Sequence, residues 1–167
     1  MKIALIGFMG SGKTSVGQAL AQSLNFNMIE MDWMILQSQG CQNMSELFEK
    51  GGELLLRESE IELAKELRDI ESTVISTGGG IVLNKIIIDY LQDHKGKIIF
   101  LHASFDILKE RINQDPTPRP LFQNSEEARK LYDFRLPLYK RYADIEINTD
   151  EKPLQTIVAE IKENLKK

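Results

Sequence analysis

Apolar residues fall along this chain in two alternating patterns. Short unbroken runs, Lys2-Ile3-Ala4-Leu5-Ile6, Thr73-Val74-Ile75-Ser76-Thr77 and Lys97-Ile98-Ile99-Phe100-Leu101, read as buried strands. Between them lie stretches in which apolar residues return every third or fourth position, the signature of an amphipathic helix. Residues 15–24 carry Val16, Ala19, Leu20 and Leu24 on one face, and residues 53–69 carry Leu55, Leu56, Leu63, Ala64 and Leu67. Residues 84–92 and a segment begun by Ser104, with Ile107, Leu108 and Ile112, follow the same rule, as does 125–142 with Leu131, Phe134 and Leu138 expected inward. The last stripe, Leu154, Ile157, Val158, Ile161 and Leu165, is core packing.

Residues 28–32 read as a second strand ending in carboxylates, and 143–148 as a fifth. Two short helices are expected at 33–39, stopped by Gly40, and at 44–50, capped by Asn43 or Ser45 and broken by Gly51-Gly52. Strands alternating with helices predict one parallel sheet with helices on both faces, an α/β three-layer sandwich. Residues 114–125, with Asp115-Pro116-Thr117-Pro118-Arg119-Pro120, have no usable periodicity and read as a loop suited to act as a lid.

The turn after the first strand carries the chemistry. Gly7-Phe8-Met9-Gly10-Ser11-Gly12-Lys13-Thr14 satisfies G-x-x-x-x-G-K-[ST] at every fixed position, in the strand–turn–helix order this motif needs. Glycines let backbone N–H groups close on a bulky anion at a helix N-terminus. Lys13 can reach β and γ phosphates, and the Thr14 hydroxyl is a hard oxygen ligand for Mg²⁺. Arg119, between prolines, is placed to bring charge onto a bound phosphate, or the segment is plain turn chemistry.

Composition narrows the setting. A chain of 167 residues, 42% hydrophobic, suits one domain with a continuous core. The formal net charge of −4, with no long basic block, argues against nucleic acid or an anionic membrane as partner. Cys41 is the only cysteine, which excludes an intrachain disulfide and a cysteine-based metal site. No run approaches a membrane span and Met1-Lys2 lead straight into a strand, so a cytoplasmic protein is expected. The absence of a long apolar surface stripe favours a monomer. His94 and His102 are too isolated to form a catalytic pair.

Three other places invite a functional or a plain reading. Strand spacing would aim Glu30 and Asp32 at one face, as crevice ligands or as solvated acids. Arg57 and Glu60, at i and i+3, are a helix-face pair or an arginine held for an anion. Gly78-Gly79-Gly80 at a strand end is a hinge or a point of close backbone approach.

Taken together, the phosphate turn, Met31-Asp32, Leu56-Arg57 with Glu60, Thr77-Gly78-Gly79-Gly80, Arg119-Pro120-Leu121 and Arg135-Leu136-Pro137-Leu138-Tyr139 resemble shikimate kinase in order and spacing, over essentially the whole chain. The resemblance implies a P-loop, nucleoside-monophosphate-kinase-like fold with a five-stranded parallel sheet. It also implies transfer of the γ-phosphoryl group of ATP to the 3-hydroxyl of shikimate, with Mg²⁺, in aromatic amino-acid biosynthesis by way of chorismate. Within it, a substrate-binding helical segment spans about 33–61 and the lid about 114–125.

By position, Gly10, Ser11, Gly12, Lys13, Thr14 and Ser15 match the ATP turn, Arg111 and the segment to Lys152 and Pro153 match the adenine region, and Arg119 matches the lid arginine. Asp32 matches the group that orients the acceptor hydroxyls and takes the proton. Arg57 and Arg135 match the carboxylate-binding pair, and Gly78, Gly79 and Gly80 the backbone donors. Glu30 stands where the family commonly carries an aspartate that reaches the metal through water. Another small-metabolite kinase of the same fold and a non-catalytic nucleotide-binding module are the alternatives.

Overall fold

The computed structural model describes residues 1–114 and 124–166. Five strands, β1 (Lys2–Ile6), β2 (Asn27–Glu30), β3 (Thr73–Ser76), β4 (Lys97–His102) and β5 (Ile145–Asn148), form one sheet in the order β2-β3-β1-β4-β5. Every pairing is parallel, as the unbroken apolar runs require of strands covered on both faces. The alternation along β1 divides the core. Ile3 and Leu5 point to the side packed by α1 (Lys13–Leu24) and α7 (Leu154–Asn164), and Ala4 and Ile6 to the side packed by the other helices.

Those helices are α2 (Met31–Gln39), α3 (Met44–Glu66), α4 (Lys85–Gln92), α5 (Phe105–Gln114) and α6 (Ser125–Tyr142). Because all strands run the same way, the loops that follow them share one edge of the sheet, where open α/β folds place ligands. β1 is central, so the turn after it sits in the middle of that edge. Among the described residues no helix is long and apolar enough to cross a membrane.

Three local expectations change. The second strand stops at Glu30, the last residue in register with β3 (Glu30 opposite Ser76), and Glu30 instead precedes α2. Asp32 therefore lies in the first turn of α2, where the helix dipole favours an acid, and not on a strand beside Glu30. Residues 44–50 and 53–66 form one helix with a kink, because Gly52 takes φ 65°, ψ −161°.

The third change is on α6. Its buried positions are Ala128, Tyr132, Arg135 and Tyr139, and Phe134, expected inward, is 64% exposed. The apolar pattern is offset because an arginine holds a core-facing position. The lid expected at 114–125, with Arg119, lies almost wholly outside the described residues.

The kink is a property of glycine alone, since nothing lies within 4 Å of where a Cβ at position 52 would stand. Gly52→Ala therefore strains only the backbone, and we expect a loss of about 1–3 kcal/mol in urea unfolding. An unchanged midpoint would show that α3 tolerates a straight path.

Candidate functional site

The turn between β1 and α1 is tightly drawn. Gly7, Gly10 and Gly12 all have positive φ, at 151°, 79° and 90°. A Cβ on Gly10 would stand 2.9 Å from Ile112 of α5. Lys13 Nζ donates to Gly7 O (2.9 Å) and Phe8 O (3.1 Å), so the ammonium folds back over the turn it would serve. Ser11 Oγ is buried and has no hydrogen-bond partner among the described residues, which leaves a polar group for a ligand to satisfy.

Beside the turn, Thr14 Oγ1 donates to Glu30 Oε2 at 2.6 Å, and Ser76 Oγ donates to Glu30 Oε1 at 3.1 Å. Partial burial pushes the Glu30 carboxyl above the usual range, opposed by these two hydroxyls. Three oxygen-bearing side chains from β2, α1 and β3 thus meet next to the phosphate turn. No cluster of three or more His, Cys, Asp or Glu occurs among the described residues. One carboxylate with hydroxyls suits Mg²⁺, which keeps much of its water and takes the rest of its ligands from phosphate.

The acceptor side is built on the glycines after β3. Glu60, 2% exposed, accepts from Arg57 Nη1 at 2.7 Å, and the exposed Glu53 holds the other edge of the same guanidinium at 3.0 Å and 3.3 Å. Burial raises the Glu60 carboxyl, with Arg57 and Arg135 opposing and Asp32 adding to the rise. A Cβ at position 80 would stand 2.5 Å from Arg57 Nη1 and Nη2. One at position 78 would stand 2.9 Å from Asp32 Oδ1 and 3.0 Å from Glu60 Oε1. Glycine is thus required here for room: two carboxylates and a guanidinium occupy the space of the missing side chains.

Arg135 reaches the same place from α6, with Nη1 3.8 Å from a Cβ built on Gly79. It is 5% exposed, and its Nε has no hydrogen-bond partner among the described residues. A buried cation with an unused donor is costly unless an anion arrives to meet it. One turn on, the buried Tyr139 hydroxyl donates to Gly79 O, and burial pushes this phenol far above its ordinary range.

The family model for shikimate kinase matches residues 9–166 of the chain. The chain belongs to the shikimate kinase family. A shikimate kinase of Caldicellulosiruptor bescii is 38% identical over 151 residues, covering 89% of this chain and 86% of the relative. That of Aquifex aeolicus is 36% identical over 162 residues, covering 96% and 94%. The solved shikimate kinase from Acinetobacter baumannii, in complex with shikimate, superposes with a TM-score of 0.89 at 29% identity, over 98% of this chain and 92% of that one.

Of the residues expected on the acceptor side, Asp32, Arg57, Gly78, Gly79, Gly80 and Arg135 lie close together, beside the turn that carries Gly10, Ser11, Gly12, Lys13, Thr14 and Ser15. Arg111 donates to Thr149 Oγ1 (3.1 Å) and Thr149 O (2.7 Å), which joins α5 to the loop after β5. Lys152 is paired with Glu160 at 2.8 Å, and Pro153 precedes α7. Sequence reasoning missed Ser76, Glu53 and Tyr139. Ser76 was findable from strand register opposite Glu30, and Tyr139 from its place four residues after Arg135.

The raised Tyr139 phenol has a consequence for stability. The folded protein keeps this proton where the unfolded chain, with a phenol near pH 10, loses it. Its contribution is therefore complete below about pH 10 and is lost as pH rises above it. Urea unfolding should show stability falling steeply above about pH 10, and less steeply in Tyr139→Phe, where Tyr132, also raised by burial, remains. Equal slopes in the two proteins would contradict the burial of this phenol.

Proposed function

We propose that this chain transfers the γ-phosphoryl group of ATP to the 3-hydroxyl of shikimate, giving shikimate 3-phosphate and ADP. Support comes from family membership and from one observation above the rest: two guanidinium groups, Arg57 and Arg135, converge on a glycine triplet beside Asp32 and next to a phosphate-binding turn. That arrangement is complementary to a small polyhydroxylated carboxylate. A non-catalytic nucleotide-binding module would need none of these acceptor-side groups.

In this reading the turn from Gly10 to Ser15 holds the triphosphate through backbone N–H groups, and Lys13 exchanges its two carbonyl contacts for phosphate oxygens. Arg111, Lys152 and Pro153 serve the adenine end. Arg57 and Arg135 bind the acceptor carboxylate, with Gly78, Gly79 and Gly80 alongside as backbone wall and donors. Asp32 orients the acceptor hydroxyl and accepts its proton as the bond from phosphorus to the new oxygen forms and that to the β-phosphate oxygen breaks.

Arg119, outside the described residues, supplies charge to the phosphoryl group in flight. Mg²⁺, held by Thr14 and with Glu30 at its side, neutralises phosphate charge when bound. The reading includes a monomer acting in the cytoplasm, built as one domain.

ADP release from Mg-ATP, measured with and without shikimate, tests this. We expect release to depend on shikimate and to be lost in Lys13→Ala. Asp32→Asn should lower kcat by about a hundredfold or more while ATP still binds. Release indifferent to shikimate would refute the substrate, and near-wild-type turnover of Asp32→Asn would refute the proton acceptor.

A further inference from the structure

We infer that Tyr139 is a positioning residue for the acceptor: its hydroxyl fixes the plane of the Gly79–Gly80 peptide so that the Gly80 N–H is presented to the substrate. The inference rests on the reading of this pocket as the shikimate site. A trans peptide is planar, with C=O and N–H opposed, so holding the oxygen of Gly79 sets the direction of the N–H of Gly80. No peptide bond among the described residues is cis.

The plane needs holding because glycine lies on both sides of it. No Cβ restricts rotation there, and a peptide between two glycines turns over at little cost. The neighbouring groups are committed to the 3₁₀ turn that follows: Ile81 N donates to Gly78 O at 3.5 Å and Leu83 N to Gly80 O at 3.0 Å. The Gly80 N–H donates to no acceptor among the described residues. Its surroundings are the Arg57 guanidinium at position 80 and Arg135 Nη1 at position 79, so it adds a neutral donor to the two cations.

Tyr139 is itself immobile. It is fully buried, and its ring stacks on Phe100 of β4 with centroids 5.1 Å apart and planes at 17°. Arg135 lies one helical turn before it on the same face of α6, beside the phenol. One helix face thus delivers a cation to the substrate and holds the backbone that supplies a second donor. The bond ties α6 to the loop after β3, 60 residues away in sequence.

Tyr139→Phe keeps the ring and its stacking and removes the hydroxyl, both as donor to Gly79 O and as neighbour of Arg135, so the shift of the Gly80 amide separates the two. We expect the KM for shikimate to rise about tenfold, as for loss of a buried acceptor's only partner, while the KM for Mg-ATP stays within twofold. In the ¹⁵N-labelled protein without nucleotide, shikimate should move the Gly80 amide proton downfield in wild type and by less than half as much in the variant. A purely structural tyrosine would raise both KM values together or neither, and either result overturns the inference.

If the variant does not fold, the wild-type spectrum decides alone, because a Gly80 amide that ignores saturating shikimate overturns the inference. A wild type without shikimate-dependent ADP release defeats the pocket assignment, and this inference with it. A shikimate-dependent wild type with an unchanged variant defeats only the role of Tyr139.

Discussion

A carboxylate out of water must be paired, and in this fold that constraint falls on Glu60. At 2% exposure it is held by Arg57 at 2.7 Å, with Asp32 and Arg135 close enough to shift its proton affinity. The pair adds little to stability beyond what an apolar pair would give, because desolvation offsets the attraction. What it supplies is a stationary guanidinium. Glu53 holds the outer edge, Glu60 one inner N–H, and the remaining face abuts Gly80. The absence of side chains at 78 and 80 follows, since those volumes are already filled by Asp32, Glu60 and Arg57.

The donor half and the acceptor half meet through the sheet. β1 ends in the phosphate turn, β3 beside it ends in the glycines, and β2 beyond β3 ends in Glu30. Parallel strands place all three ends on one edge, so a residue distance of some seventy positions becomes a side-by-side arrangement. Ser76 marks the junction, bonded to Glu30 as the last residue of β3 and separated from the glycine segment by Thr77. On the far side, Arg111 and Thr149 fasten α5 to the loop after β5, and Thr149 also donates to His102 O at the end of β4. Thr149 thus ties the loop after β5 to the end of β4, and Ser76 ties the end of β3 to that of β2.

Much of this was legible in the chain. The unbroken apolar runs gave the buried parallel strands, and the phosphate turn was specific because strand, glycines and helix came in the needed order. The residues gathered around the glycine triplet were legible only through their joint spacing, since Arg57 with Glu60 taken alone reads more readily as a surface pair. The failures have physical causes. Strand β2 ended early because its partner β3 ends at Ser76, opposite Glu30, and a strand's partner is not visible to local propensity. Phe134 was placed inside because periodicity ranks a phenylalanine above an arginine, whereas Arg135 takes the core-facing position and Phe134 faces water. A buried arginine is invisible to hydropathy, and its Nε is left without a hydrogen-bond partner among the described residues.

The central claim is that the half-buried Arg57 and the buried Arg135 select a carboxylate. Calorimetric titration of the nucleotide-free protein with shikimate and with its methyl ester tests it most directly, since the ester keeps ring and hydroxyls and removes only the charge. The account predicts that the ester binds at least about a hundredfold more weakly, the loss expected when charge-assisted hydrogen bonds to one buried and one half-buried arginine go unmade. Equal affinities would contradict it, and would mean that Arg57 and Arg135 are held by Glu60 and the fold for some other purpose.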